Sequence, residues 1–260
     1  MKYLKLYWAF FRASFQADIE FRANFASRIV TDIIWYVAQI VSFEVLFNYT
    51  NTLGGWNRDQ VRVFLGFLFL MDGLHMMMFS ENLDFLSANV RKGGLDLLLT
   101  KPVSSQFIIS CQRVSTAHLA NIVMALVWLY WALSRIPDFH WWRLLWLLIT
   151  LPGANAIYYT LRFFFAATSV IFVRAENLQY VWYHLYRLGM RPDSIYAPWL
   201  KFLVLTILPV GLIASVPTRL LLGMGDNWLA LWSIFWGALA LYLSHRFWRY
   251  TLTFYTSASS

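Results

Sequence analysis

Five ionisable side chains fall inside stretches otherwise built from apolar residues: Asp32, Glu44, Asp72, His75 and Arg162. A charged or titratable group in hydrocarbon is expensive, so each needs a partner or a task. Asp72 and His75 are three residues apart and share one helix face. Two readings stand side by side. The pair lines a polar pathway or binds a cation, or it is a buried structural pair in which Arg162 from another helix answers Asp72. Asp32 lies four residues after Arg28, the spacing of a local helical ion pair. Glu44 lies close to a helix end and reaches the interface by snorkelling. Met76, Met77 and Met78 beside the pair are read as flexible gap fillers. No catalytic group is assigned. Asp72, His75 and His118 are too few and lie at mismatched depths for an integral membrane enzyme. With Cys111 as the single cysteine and no zinc-type Cys/His spacing, neither an internal disulfide nor a metal site is expected.

The elements that position these residues follow from composition. Of 260 residues, 60% are hydrophobic, 19% aromatic and 13% charged. A soluble domain carries about 25% charged residues. So few charges cannot cover a soluble surface, and the excess apolar surface must face lipid. The fold class is all-α: a polytopic membrane protein of six transmembrane helices, with spans at about 28–49, 61–81, 107–133, 142–172, 199–222 and 227–248. The whole of 1–260 is one transmembrane domain. Residues 1–26 alternate apolar and polar at helical spacing, with Leu4, Tyr7, Trp8, Phe11 and Phe15 against Lys2, Lys5, Arg12 and Gln16. That pattern predicts an amphipathic interfacial helix rather than a cleaved signal peptide. Residues 174–198 are too polar to span and are read as a cytoplasmic loop ended by Pro192 and Pro198.

The stretch 82–106, NLDFLSANVRKGGLDLLLTKPVSSQ, is the most polar and the most Gly- and Pro-punctuated connection between two apolar runs, yet it contains an apolar block. A short helix is expected up to Lys92, stopped by Gly93-Gly94. Leu83, Leu86 and Val90 make one stripe on it, and Leu95 to Leu99 return toward the next span before Pro102. The leucines either dock into a groove on a soluble partner or dip into lipid. As a docking segment, its apolar anchors are Leu83, Leu86, Val90 and Leu95, with Arg91, Lys92, Asp96 and Pro102 around them.

Lysines and arginines set the orientation. With six spans, they crowd onto the side that holds both termini and 82–106, Arg174, Arg187, Arg191 and Lys201 included. Only Arg58, Arg62, Arg135, Arg143 and Arg219 fall on the other side. Both termini are therefore expected in the cytoplasm, in the inner membrane of a prokaryote. The net charge of +8 suits anionic lipid, and nucleic acid is not an expected partner. No G-x-x-x-x-G-K-[ST] is present, so the chain holds no phosphate cradle for ATP of its own.

The segment G-G-L-D-L-L-L-T-K-P-V (93–103) resembles the one that follows the coupling helix in ABC-2 type exporter permeases. The resemblance extends to E-F-R-A-N-F (20–25), V-R-A-E-N-L (173–178), R-P-D-S-I-Y-A-P-W-L (191–200), L-P-V-G-L-I-A-S-V-P (208–217) and Y-T-S-A-S-S (255–260), and so covers most of the chain. Within that family the chain is similar to short permeases of about 260 residues, including proposed viologen exporters. The resemblance implies a permease subunit without ATPase activity that works as a homodimer, or as a heterodimer with a related permease, in membrane lipid. A separate ABC ATPase subunit would carry the ATP and Mg. It also implies a coupling helix at about Asn82 to Lys92 and a connector helix at the N-terminus. Re-entrant helices between spans five and six are common in the family, and here only about Leu220 to Asn227 is available for them. The cargo implied is amphipathic or hydrophobic, with aromatic residues such as Trp35, Tyr36, Tyr158 and Tyr159 as possible stacking partners. The competing readings are a membrane scaffold without transport activity and an integral membrane enzyme.

Overall fold

The computed structural model describes residues 2–172, 176–225 and 227–255. Those residues form helices and connecting turns. The helices are α1 (Lys2–Glu20), α2 (Arg22–Leu46), α3 (Arg58–His75), α4 (Glu81–Arg91), α5 (Gly94–Leu99), α6 (Ser105–Cys111), α7 (His118–Ser134), α8 (Leu145–Ala167), α9 (Glu176–Gly189), α10 (Pro198–Leu205), α11 (Gly211–Leu222) and α12 (Trp228–Leu252). Four helical runs among the described residues are long and apolar enough to cross a membrane: Arg22–Leu46, Arg58–Arg91, Trp141–Val170 and Trp228–Leu252. His118–Ser134 and Gly211–Leu222 are apolar but shorter. The motifs expected at 173–178 and 255–260 fall largely outside the described residues, as does Arg174.

The longest run joins α3 to α4 through a π-helical turn, Met76–Ser80. Its 34 residues extend about 51 Å at 1.5 Å per residue, well beyond a hydrocarbon core of about 30 Å. The expected coupling helix is therefore the continuation of the second span, not a separate transverse element. A π turn leaves backbone groups without regular partners, and neighbours take them up. The Ser115 N–H donates to the Met77 carbonyl at 3.1 Å.

Ser115 belongs to a second irregularity. The third expected span is broken between α6 and α7, and side chains from other helices satisfy its exposed donors. Asn82 clasps Arg113, accepting from its N–H at 2.9 Å and donating to its carbonyl at 2.7 Å. Ser14 accepts from the Val114 N–H, and Asp18 accepts from both the N–H and the hydroxyl of Thr116. Buried backbone donors must be paired, so this break persists only because α1 and α4 supply acceptors. It also explains how α1, in which no residue is fully buried, is held beside the bundle.

The segment read as a cytoplasmic loop does something else. Residues 176 onward begin beside the end of α8 that packs on α4, where Trp182 stacks near Phe165. They finish with Ser194 and Ile195 against Gly54, in the connection before α3. The segment thus runs from one end of the bundle to the other. Its polar residues misled the sequence reading because several of them, Tyr186 above all, point inward to partners.

The expected fifth span is corrected in turn. Pro209 and Gly211 divide 199–222 into α10 and α11, and Val204 packs on Gly211. The far end of α11 lies where Leu222 accepts from Arg143, at the opening of α8, so the two helices fold into a hairpin confined to one end. The hairpin is therefore larger than the connection of about 220–227 that the sequence reading left between its last two spans. Beside the four long apolar runs, α6–α7 and α9 also run between the two ends of the bundle among the described residues. Arg187, Arg191 and Lys201 move to the Gly54 end, which narrows the charge asymmetry without reversing it.

The tightest crossing joins α8 to α12. A Cβ on Gly237 would lie 2.7 Å from the Gly153 Cα, and one on Gly153 would lie 2.9 Å from the Ser233 carbonyl. Small residues at such a crossing allow backbones to approach and gain dispersion contact where lipid offers no hydrophobic drive. The main core runs through α3, α7, α8, α9 and α11. A second core lies at the α4 end and includes Leu83, Leu86, Val90, Leu95, Ile108, Phe163, Ala166 and Trp248.

Candidate functional site

Two polar groups of α3 are fully buried, Asp72 and His75, 2% and 1% exposed. One carboxylate oxygen accepts from Tyr158 of α8 at 3.0 Å and from Tyr186 of α9 at 2.5 Å. Hydrogen bonds to a charged acceptor contribute about 1.5–3 kcal/mol each and offset part of the cost of burying the carboxylate. His75 lies flat on Tyr158, with centroids 3.8 Å apart and planes 3° from parallel. Tyr158, Tyr186 and Trp182 stack in turn. The expected pairing of Asp72 with Arg162 does not form: Asp72 meets phenols, and His75 lies against ring faces.

Asp72, Tyr158, Trp182 and Tyr186 form one wall of a chamber of about 350 Å³, which Asp32, Trp35 and Tyr36 of α2 close from the other side. A wider vestibule of about 440 Å³ opens beside it, lined by Arg28, Glu81, Ser115 and His118. The two share Thr31, Asp32, Met76, Ser80 and Asp84, so they are contiguous. Arg162 and Asp84 join in an ion pair that ties α8 to α4 on the chamber wall. With carboxylates and aromatic faces on its walls and only Arg162 as a lining cation, the chamber is electronegative.

Two further expectations are corrected here. Asp32 does not pair locally with Arg28. It accepts from Asn121 at 2.6 Å and lies 3.0 Å from His118 Nδ1, while Arg28 turns to Glu81. Glu44 does not reach outward alone: it takes a two-point contact from Arg62 at 2.6 and 2.9 Å. The planar fork of an arginine matches a carboxylate, so this pair closes the outer part of α2 on α3.

At the opposite extreme of the long helix lie the residues singled out for docking. Leu83, Leu86, Val90 and Leu95 are buried within the chain, so they are unavailable as contact anchors. Gly93, at a φ of +69°, reverses the chain and folds α5 back on α4, and the leucine stripe closes on Ile108, Phe163 and Trp248. What the tip shows to solvent is Arg91, Lys92, Thr100, Lys101, Pro102 and Leu97, the last 72% exposed. Asp96 accepts from the hydroxyl of Tyr255, which anchors the described end of the chain to α5. Partial burial first, and then the Asp96 carboxylate, raise the pKa of that phenol, which favours its role as donor.

Sequence reasoning named Asp72, His75 and Arg162 and placed them on the right helices. It missed Asn82, Asp18 and Ser14 as supports of the broken helix, and Tyr186 as a ligand of Asp72. The signal for Asn82 was its position at the edge of an apolar run. Nothing in the local pattern marked Tyr186, whose partner lies 114 residues away.

Comparison with known proteins adds one result. No curated protein and no solved structure matches the chain. A family model described as ABC-2 family transporter protein matches residues 33–259, which takes in the chamber except Thr31 and Asp32, the α4–α5 tip and the α10–α11 hairpin. The chain therefore belongs to the ABC-2 transporter family.

Proposed function

We propose that the chain is the permease subunit of an ATP-binding cassette exporter in a prokaryotic cytoplasmic membrane. The six passes cross the bilayer, and the α4–α5 tip faces the cytoplasm. A separate ATPase subunit binds ATP and Mg, docks on the tip and drives it. Two permeases, identical or related, form the working unit and move an amphipathic or hydrophobic substrate outward.

The observation that carries this reading is mechanical. The exposed tip of Arg91, Lys92, Leu97 and Lys101 is backed by a buried leucine cluster and joined by one continuous helix to Asp72. A push on the tip reaches the Arg162–Asp84 pair, and through it the chamber, without crossing a flexible loop. Leu97 is the apolar anchor, with the cations around it as rim contacts.

The test is co-purification with a candidate ABC ATPase subunit co-expressed with the chain. Leu97→Asp is expected to reduce recovery of that subunit about tenfold, equivalent to about 1.4 kcal/mol of contact free energy, with the permease still folded. Full recovery of the ATPase with Leu97→Asp would remove the docking assignment.

A further inference from the structure

We propose that the cleft between α2 and α9 is a binding site for the anionic head group of a phospholipid. The cleft encloses about 400 Å³ at the Gly54 end of the bundle, and its wall carries Arg187 and Arg191 above Gln39, Phe43, Leu46 and Met190. The two guanidiniums are four residues apart and both side chains are exposed.

No carboxylate among the described residues lies within ion-pair distance of either arginine. The nearest acidic groups by position are committed elsewhere, Glu44 to Arg62 and Asp193 to Arg219 and Lys201. Nor do the arginines serve as caps for α9, whose Leu188 carbonyl accepts from Tyr196 at 2.8 Å and whose Arg187 carbonyl accepts from Met190. The one described contact of the Arg187 guanidinium is with the ring of Tyr183, at 6.0 Å.

The depth decides what answers them. Gln39 lies five residues before Glu44, about 7.5 Å nearer the middle of α2. Around it α2 exposes Val37, Val41 and Val45. Arginines beside such a surface need an anion, and a phosphate ester suits two guanidinium forks better than a point charge does. The Gln39 amide adds a donor. Phe43, Leu46 and Met190 form an apolar floor along which acyl chains lie. Inorganic phosphate shares the head-group chemistry and lacks any use for that floor, so the lipid is the assigned occupant. The inference requires only that α2 and α9 lie in a bilayer, and it holds whatever the chain transports.

The full chain is reconstituted in nanodiscs of phosphatidylcholine mixed with phosphatidylglycerol, and the lipid retained after mild extraction is counted by native mass spectrometry. Wild-type protein is expected to retain the anionic lipid in preference. Arg187→Gln with Arg191→Gln is expected to lower that preference about tenfold, and Arg187→Lys with Arg191→Lys to keep most of it. An unchanged preference in the glutamine variant, with the protein monodisperse, overturns the site. Displacement of the lipid by millimolar inorganic phosphate overturns the lipid assignment in favour of a free anion. Loss of ATPase docking leaves these results unaffected, so failure here and failure of the exporter reading are separate outcomes.

Discussion

The α4–α5 tip and the Asp72 chamber sit on the same long helix and are built in opposite ways. The tip is apolar inside and polar outside, with Leu95 fully buried and Leu97 two residues later largely exposed. The chamber is lined by polar groups within an apolar shell, where Asp72 is satisfied by phenols brought from α8 and α9. A hydrophobic cluster tolerates small rearrangement because its forces have no direction. A buried hydrogen-bonded carboxylate has two geometries, satisfied and unsatisfied, with a large gap between them. The tip is suited to transmit a push, and the chamber is suited to respond in discrete states.

That contrast breaks most severely at Leu95. Leu95→Asp places a carboxylate in the second core and is expected to cost more than about 4 kcal/mol, combining a lost leucine with an unpaired buried charge. The check is yield and thermal stability of the purified chain; wild-type stability would mean that the cluster opens in solution. Asp72→Asn keeps the shape and removes the charge that strengthens two hydrogen bonds, for a loss of roughly 1.5–3 kcal/mol. Export should change while assembly with the ATPase survives. Wild-type export would reduce Asp72 to a structural role. Smaller again is the coupling between Arg162 and Asp84. A double-mutant cycle with Arg162→Gln and Asp84→Asn should give about 1 kcal/mol in stability, given the partial exposure of Asp84. If both single variants export at the wild-type rate and their stability effects are additive, the pair is not a mechanical link. At the lower limit stands Leu97→Asp, expected to leave stability within about 0.5 kcal/mol while it weakens docking about tenfold. The distance between Leu95 and Leu97 in this series measures how sharply the tip separates support from contact.

Legibility in the sequence followed the range of the forces. Local pattern identified the helical membrane class and the helices that carry Asp72, His75 and Arg162, and the resemblance of several motifs identified the family. It read the leucine stripe correctly as an amphipathic face and assigned it the wrong partner, because periodicity says that a face is buried and not against what. It failed on the polar segment after residue 174. The tyrosines and tryptophan of α9 lower its hydropathy, yet Trp182 and Tyr186 are buried against α8 and Asp72. An amphipathic helix facing a polar interior cannot be told by composition from one facing water.

By itself, then, the sequence determined the solvent of this protein. An excess of apolar residues with few charges requires lipid whatever the arrangement, since that term depends on area alone. It also determined where the chain would turn at Gly93-Gly94, because glycine admits the positive φ that the turn requires. Tertiary structure decided who meets whom: Asp72 with Tyr158 and Tyr186 rather than Arg162, Asp32 with Asn121 rather than Arg28, and the leucines with Trp248 rather than a partner. Hydrogen bonds and ion pairs are directional and short, so their partners are fixed only when distant helices come within about 3 Å of one another.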